Sequence, residues 1–455
     1  PPINREMKEL DRSFFHKEFA VVKASFRDPR DIGKFLRKYP QDILNIPGVR
    51  NVIKIKPFNS RAVLLTDRLR MPTDAENVLS KDCLYYMKKQ QHPVRLMSHL
   101  LELDYEFWRT DQILGAVLPE ELLDDIPSGF TQTGHIAHVN LRKEFKPYKH
   151  LIGQVILDKN PSIRTVVDKV DSIATVYRTF EMEVLAGEDD MIVEHKESNC
   201  IFRFNFQSVY WNSRLHSEHE RLINLFQEGE VVFDVMAGVG PFSVPAAKRN
   251  VICFSNDLNP ESYKYLNENI KLNHVTSIYP YNSDGHDFIK NCFSILQEKR
   301  DKQNGEIVVI TPEKRRKKGK KAIKDGDDIK QLLKDHKKVL PIPKFINHFV
   351  MNLPDSAIEF LGDFNGIYEG QKEFLESCEG FKLPKVHVYC FEKFSPDEPE
   401  PTEEDLQKRV LERIKKQLQN DDLNYEDVLF QLVRKVSPTK PMYRASFTLP
   451  EAVAF

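Results

Sequence analysis

Val231-Val-Phe-Asp-Val-Met-Ala-Gly-Val-Gly-Pro-Phe242 sets the reading of the C-terminal half of the chain. Three apolar residues running into Asp234 make a short buried strand. The turn that follows passes Gly238 and Gly240, and neither carries a Cβ to hold a ligand away from the backbone. The stretch lacks the GxGxxG spacing of a dinucleotide site, and Pro241 and Phe242 follow at once, which disfavours a pyrophosphate at a helix start. An uncharged or cationic nucleoside fits better. Further out, apolar runs at 251–255, Ile278–Tyr281, 349–351 and 386–391 alternate with helical patterns such as 260–273. That alternation predicts an α/β domain built on a largely parallel sheet with helices on both faces.

Two more strand ends carry acids. Asn256-Asp257-Leu258-Asn259-Pro260 closes the next strand, and Asp257 lies 23 residues after Asp234, where a carboxylate can accept from two ribose hydroxyls. Asn282-Ser283-Asp284-Gly285 closes the third, where a carboxylate can meet an adenine amino group. Taken singly, each Asp is as often a helix N-cap as a ligand contact. Three in succession along the crevice of an α/β sheet point to a nucleoside cofactor. A fourth strand ends in Asn352-Leu-Pro354-Asp-Ser. In isolation that is an ordinary Asn-x-Pro turn; here it falls at the fourth strand of the same sheet.

Length and composition bound the rest. A chain of 455 residues exceeds a typical single domain, so at least two cores are expected, and 40% hydrophobic with 30% charged residues is a globular rather than a disordered or fibrous composition. Lys+Arg at 67 against Asp+Glu at 68 leaves a formal charge of -1, so a nucleic-acid partner would have to be met by local patches. The six cysteines are scattered, without CxxC or metal-ligand spacing, and read as reduced thiols of an intracellular protein with no metal site. No apolar run is long enough to cross a bilayer, and the first residues lack the apolar core of a secretory signal.

The organisation reads as three parts: an α+β domain over 1–95, a middle domain over 96–208 that is helical and then strand-rich, and the α/β domain over 209–455. Helices are expected at 93–103, 105–117 and 119–126, strands at 152–157, Thr165–Lys169, 182–185, 191–195 and 200–206, and an amphipathic helix over Glu403–Leu418. Residues 314–324 hold eight Lys or Arg in eleven positions. Such a run cannot bury itself, so 302–340 reads as an exposed insertion.

The string from Tyr210-Trp-Asn-Ser-Arg-Leu-His-Ser-Glu-His-Glu-Arg through AGVGPF, NDLNPESYKYLNENI and MNLPDSA, with Tyr177-Arg178-Thr and Leu185-Ala-Gly-Glu upstream, resembles the tRNA (guanine-37-N1)-methyltransferase family of archaea and eukaryotes. The likeness spans 129–450; before about residue 95 it reaches only the family's variable part. It implies a Rossmann-like class I methyltransferase domain beside the smaller α+β N-terminal and middle domains, and S-adenosyl-L-methionine as cofactor. It implies methyl transfer to N1 of guanine 37 in the tRNA anticodon loop, which supports reading-frame maintenance, by a monomer. Cytoplasm and nucleus are the implied compartments, with the mitochondrial matrix as a further one.

Guanine N1 carries a proton at neutral pH and needs a base before it can attack. By resemblance, Glu218 matches the family's general base and Arg178 the cation that meets charge developing on O6. Asn352 would orient the guanine edge and Pro354 stiffen its turn. Asp234, Gly238, Gly240, Asp257, Asp284, Gly285, Asn352 and Pro354 would line the cofactor site, with His219 and Leu258 as neighbours. Without the resemblance, Glu218 reads as a carboxylate paired with His219 or Arg221, and Arg178 as a strand-face ion pair. Arg214 reads as a brace or a phosphate contact. Reaching a stacked base calls for base flipping, with RNA shape read rather than a groove. The N-terminal domain would touch the distant tRNA corner, and the basic clusters at 142–150 and 434–440 are candidate phosphate contacts. Three rivals stand beside this reading: a wybutosine-pathway aminocarboxypropyl transferase using the same cofactor, a base-nitrogen methyltransferase acting on rRNA or DNA, which the Arg178 and Glu218 context counts against, and a catalytically silent tRNA-binding module.

Overall fold

The computed structural model describes residues 1–55, 60–170, 177, 179, 181–310 and 337–455. Arg178 and the basic run at 314–324 lie outside them. The chain forms two compact units, the first comprising 1–130, 140–166 and 185–187 and the second comprising 131–139, 167–184 and 188–455.

In the first unit, strands β1 (Lys17–Phe26), β2 (Val52–Ile55), β3 (Ser60–Leu64) and β4 (Arg95–Leu103) form a sheet in the order β2-β3-β1-β4. The expected helix at 93–103 is therefore a strand, paired antiparallel with β1 from Lys17↔Leu103 to Ser25↔Arg95. A boundary at 95 would fall on its first residue. The misreading has a physical source: both faces of β4 are partly covered. Leu96 packs into the cluster around Phe26 and Phe35, and Leu101 into another around Val21 and Leu64, so apolar residues lie on both faces and imitate helical spacing. The reverse error occurs at 152–157, expected as a strand. Those residues lie in the helix Lys149–Lys159, whose Leu151, Ile152, Val155 and Ile156 are all buried. An apolar run of that length does not by itself distinguish strand from helix.

The second unit opens with the hairpin of β5 (Thr131–Thr133) and β6 (Ile136–Val139). The division between the units passes through β7 (Thr165–Lys169) and β8 (Met182–Gly187). A second hairpin joins β9 (Ile192–Glu197) to β10 (Cys200–Asn205). The main sheet then takes β11 (Val231–Asp234), β12 (Ile252–Asn256) and β13 (Ile278–Tyr281). A separate ladder of β14 (Glu306–Ile310) and β15 (Lys337–Pro341) precedes its remaining strands, β16 (His348–Met351), β17 (Lys385–Phe391), β18 (Leu429–Ser437) and β19 (Lys440–Thr448). The order is β13-β12-β11-β16-β17-β19-β18, parallel from β13 to β17 and antiparallel thereafter. All four residues of β11 and all four of β16 are buried, as interior parallel strands require.

The ends of the expected insertion are ordered as strands. They are β14 and β15, paired antiparallel from Glu306↔Pro341 to Ile310↔Lys337, with Ile307, Val309 and Leu340 buried. The helix Glu403–Leu418 forms where expected. Thr402 and Asp405 close a reciprocal capping box at its start, and Leu406, Val410, Leu411, Ile414 and Leu418 enter the same core as Val386 and Val388 of β17.

Candidate active site

Strand order reverses at β11: β12 lies on one side and β16 on the other. Ligands of open α/β sheets bind outside the carboxyl ends of the strands at such a switch point. Asp234, Asp257, Asp284 and Asn352 all lie at the carboxyl ends of β11, β12, β13 and β16 or just beyond them, so the four motifs read from the sequence meet at one edge.

Asp257 organises the turn after β11. Its Oδ2 accepts from the Gly238 amide at 2.8 Å and its Oδ1 from the Asn259 amide at 2.9 Å. Burial raises its pKa, and those amides act in the opposite sense. Gly238 holds φ +55° and Gly240 φ +96°, the left-handed region that a side chain strains; a Cβ at Gly240 would stand 2.8 Å from Leu266. Asn259 accepts from the Glu261 amide at 3.0 Å, and Pro260 takes the first position of the helix that follows. Leu258 is 46% exposed beside Asp257.

Asn256, which the sequence reading passed over, ties the edge together. Its amide donates to Val235 O at 3.2 Å and Ser283 O at 2.9 Å, and its Oδ1 accepts from Ser283 N at 2.9 Å. Asp284 is exposed and does act as an N-cap, accepting from the His286 amide at 2.8 Å. Gly285 is buried, and a Cβ there would come within 2.9 Å of Phe360.

Two buried polar atoms at this edge have no hydrogen-bond partner among the described residues: Asp234 Oδ1 and Asn352 Oδ1. Unsatisfied buried acceptors are costly and need an explanation; at the carboxyl ends of the strands, they suit a ligand with donors. Asp234 is 1% exposed, and its other oxygen accepts from Ser243 Oγ at 2.7 Å. Burial, with a smaller push from the Asp257 charge, drives its pKa up to about 7 against the donation from Ser243. A carboxyl whose folded pKa is raised from 3.8 to about 7 keeps its proton in the folded state while the unfolded state loses it. Stability therefore falls as pH rises through that window, by at most about 1.4 kcal/mol per pH unit, and levels off above it. In Asp234→Asn that slope disappears. The melting temperature of the variant relative to the parent should climb from pH 4 to pH 7 and then stay constant; a difference independent of pH would refute the assignment.

Glu218 sits on the helix His216–Ile223 and is 3% exposed. Tyr389 of β17 donates its hydroxyl to Glu218 Oε1 at 3.0 Å, and Arg444 of β19 brings Nε to 3.0 Å from the same oxygen. Oε2 pairs with Arg221. Tyr389 follows Val388, the register partner of Met351, so its strand position adjoins that of Asn352. Glu218 is thus anchored at the same edge of the sheet. Tyr389 and Arg444 were missed because nothing local marks them; their contact with Glu218 spans most of the domain's sequence.

His219 faces away from Glu218. Its Nδ1 lies 2.6 Å from Glu197 Oε1, and its ring meets the edge of Phe242. Burial would raise the Glu197 pKa, yet the His195 and His219 imidazoles beside it hold it at about 2. Arg214 braces the β5 hairpin by donating to Thr131 Oγ1 at 3.1 Å. In the basic cluster at 142–150, Arg142 pairs with Asp125, and Phe145 and Tyr148 are buried. No group of three His, Cys, Asp or Glu suited to a metal occurs among the described residues.

Comparison with known proteins decides the family. A TRM5/TYW2 methyltransferase domain model matches residues 193–297, and a TYW2 N-terminal domain model matches 110–190. The tRNA (guanine(37)-N(1))-methyltransferase of Candida albicans (strain SC5314) is 50% identical over 459 residues, covering 100% of this chain and 98% of its own. This chain belongs to the tRNA (guanine(37)-N(1))-methyltransferase family. The Saccharomyces cerevisiae member is 46% identical, covering 100% of this chain and 95% of its own. Among solved structures, wild-type Trm5b from Pyrococcus abyssi aligns with a TM-score of 0.54 at 23% identity, over 94% of this chain and 99% of that one; it establishes the shared fold. The Rossmann-like methyltransferase domain that the resemblance implied is borne out by the family match.

Proposed function

We propose that this protein transfers the methyl group of S-adenosylmethionine to N1 of guanine 37 in tRNA. The carrying observation is 50% identity over 459 residues to a tRNA (guanine(37)-N(1))-methyltransferase, covering 100% of this chain and 98% of that one. The crevice suits the cofactor. Asp257 would accept from ribose hydroxyls, Gly238 leaves its side of the turn open, with nothing within 4 Å of a Cβ placed there, and the orphaned Asp234 and Asn352 oxygens offer acceptors. Leu258, Asp284 and Gly285 complete the lining, with Pro354 fixing the turn after Asn352. When bound, S-adenosylmethionine supplies an electrophilic methyl on a sulfonium, whose sulfur keeps the bonding pair as the methyl leaves.

The chain's own residues do the rest. Glu218 takes the N1 proton, a buried carboxylate being suited to general-base work once a substrate edge reaches it. Asn352 orients the guanine edge, and Arg178 meets the charge that builds on O6. The reading places a single chain at work in cytoplasm and nucleus, with the mitochondrial matrix as a further compartment. The described cysteines are all free thiols, in keeping with a reducing milieu, and light scattering and imaging of the tagged chain test the two points.

The deciding experiment supplies labelled S-adenosylmethionine with paired tRNA transcripts carrying guanine or adenine at 37, followed by nucleoside mapping. N1-methylguanosine formed only on the guanine transcript is the expected result. Aminocarboxypropyl addition to a modified tRNA would move the chain to that neighbouring activity, and cofactor binding without any transfer would leave a silent tRNA-binding module.

A further inference from the structure

Glu218 is held unevenly. Both contacts to Oε1 come from fully buried side chains: Tyr389 is 0% and Arg444 2% exposed. Oε2 has a different neighbour, Arg221, whose side chain is 43% exposed and lies one helical turn along the same helix. A half-exposed arginine can swing out and keep its own charge in water, while Glu218, 3% exposed, keeps its contacts at Oε1. A fully buried guanidinium cannot; it keeps its charge, and removing its partner leaves that charge stranded. Arg444 and Tyr389 are register partners across β17 and β19, so two adjacent rigid strands carry the Oε1 contacts. Arg444 meets Oε1 as an ion pair, and its Nε and Nη1 are both buried without a hydrogen-bond partner among the described residues. A stability-only role sits poorly with that, since a core selected for stability alone would satisfy or replace such a group.

We propose that Arg444 and Tyr389 are positioning residues for methyl transfer: they clamp Glu218 through Oε1 and present Oε2, once Arg221 moves aside, as the atom that takes the guanine proton. The inference rests on the reading of Glu218 as base. In the step, the N1–H bond breaks, the proton passes to Oε2, and the electron pair stays on N1, where it takes the methyl group. Arg221 leaves as the substrate arrives, with tRNA phosphate an available counter-charge for it.

The test measures single-turnover methyl transfer by the full chain at saturating tRNA and cofactor, together with both KM values and the melting temperature. Tyr389→Phe removes one hydroxyl and keeps the ring, so it should fold; its rate constant should fall about 10-fold with both KM values unchanged. Arg444→Met should lose about 100-fold or more, and Arg444→Lys should regain part of that loss. A merely structural clamp would lower the melting temperature of Tyr389→Phe and Arg444→Lys without changing the saturated rate per folded enzyme, and that outcome overturns the proposal. Failure of the underlying reading looks different: Glu218→Gln would then keep its full rate. If Glu218→Gln is inactive while Tyr389→Phe and Arg444→Lys transfer at the parental rate, the base stands and the clamp falls.

Discussion

Glu218→Gln should lose methyl transfer by about 10²–10⁴-fold, the usual range for a positioned proton acceptor, while S-adenosylmethionine still binds. The amide retains an acceptor for the Tyr389 hydroxyl but cannot take a proton from guanine N1. It also leaves the Arg444 charge without a counter-charge at 2% exposure, and breaking a buried pair costs about 3–5 kcal/mol. The melting temperature should therefore drop as well. Cofactor affinity separates the two effects: none of the residues at the β11–β13 strand ends is removed, so calorimetric titration of the folded variant should give a dissociation constant within a few-fold of the parent's. An active variant would remove Glu218 from the chemistry.

Asp257→Ala should act on the other half of the site. The carboxylate both offers acceptors to the ribose and receives the Gly238 and Asn259 amides. Hydrogen bonds to a charged group contribute about 1.5–3 kcal/mol each, so losing two weakens cofactor binding by about 100-fold or more. The freed amides relax a turn whose glycines already sit at positive φ. Raising the cofactor concentration should restore part of the rate in Asp257→Ala but none in Glu218→Gln. Equal cofactor affinity in parent and Asp257→Ala would show that the nucleoside lies elsewhere.

The difference between these residues also explains what could be read from the chain alone. Asp234, Gly238, Gly240, Asp257 and Asn352 announce themselves because a parallel strand and its following turn fit within about ten residues, so geometry and sequence share one window. Glu218 carries no such signature, since an acid on an amphipathic helix is an ordinary surface residue until its partners are known. It became a candidate only through family resemblance. Its clamp was out of reach because Tyr389 and Arg444 sit on strands that read as plain core. His219, expected beside the cofactor, pairs with Glu197 at the end of β9, a contact between a helix and a strand that no local spacing reveals. The secondary-structure errors at 93–103 and 152–157 have different sources: in the first both faces of a strand are partly covered, and in the second a short apolar run on one buried helix face carries no period of its own.

The antiparallel end of the sheet bears on when the enzyme becomes competent during synthesis. A ribosome delivers β11, β12, β13 and β16 well before β19, so the cofactor crevice can assemble while Glu218 still lacks Arg444. A chain lacking β19 would brace Glu218 through Tyr389 alone, with no buried guanidinium beside the carboxylate.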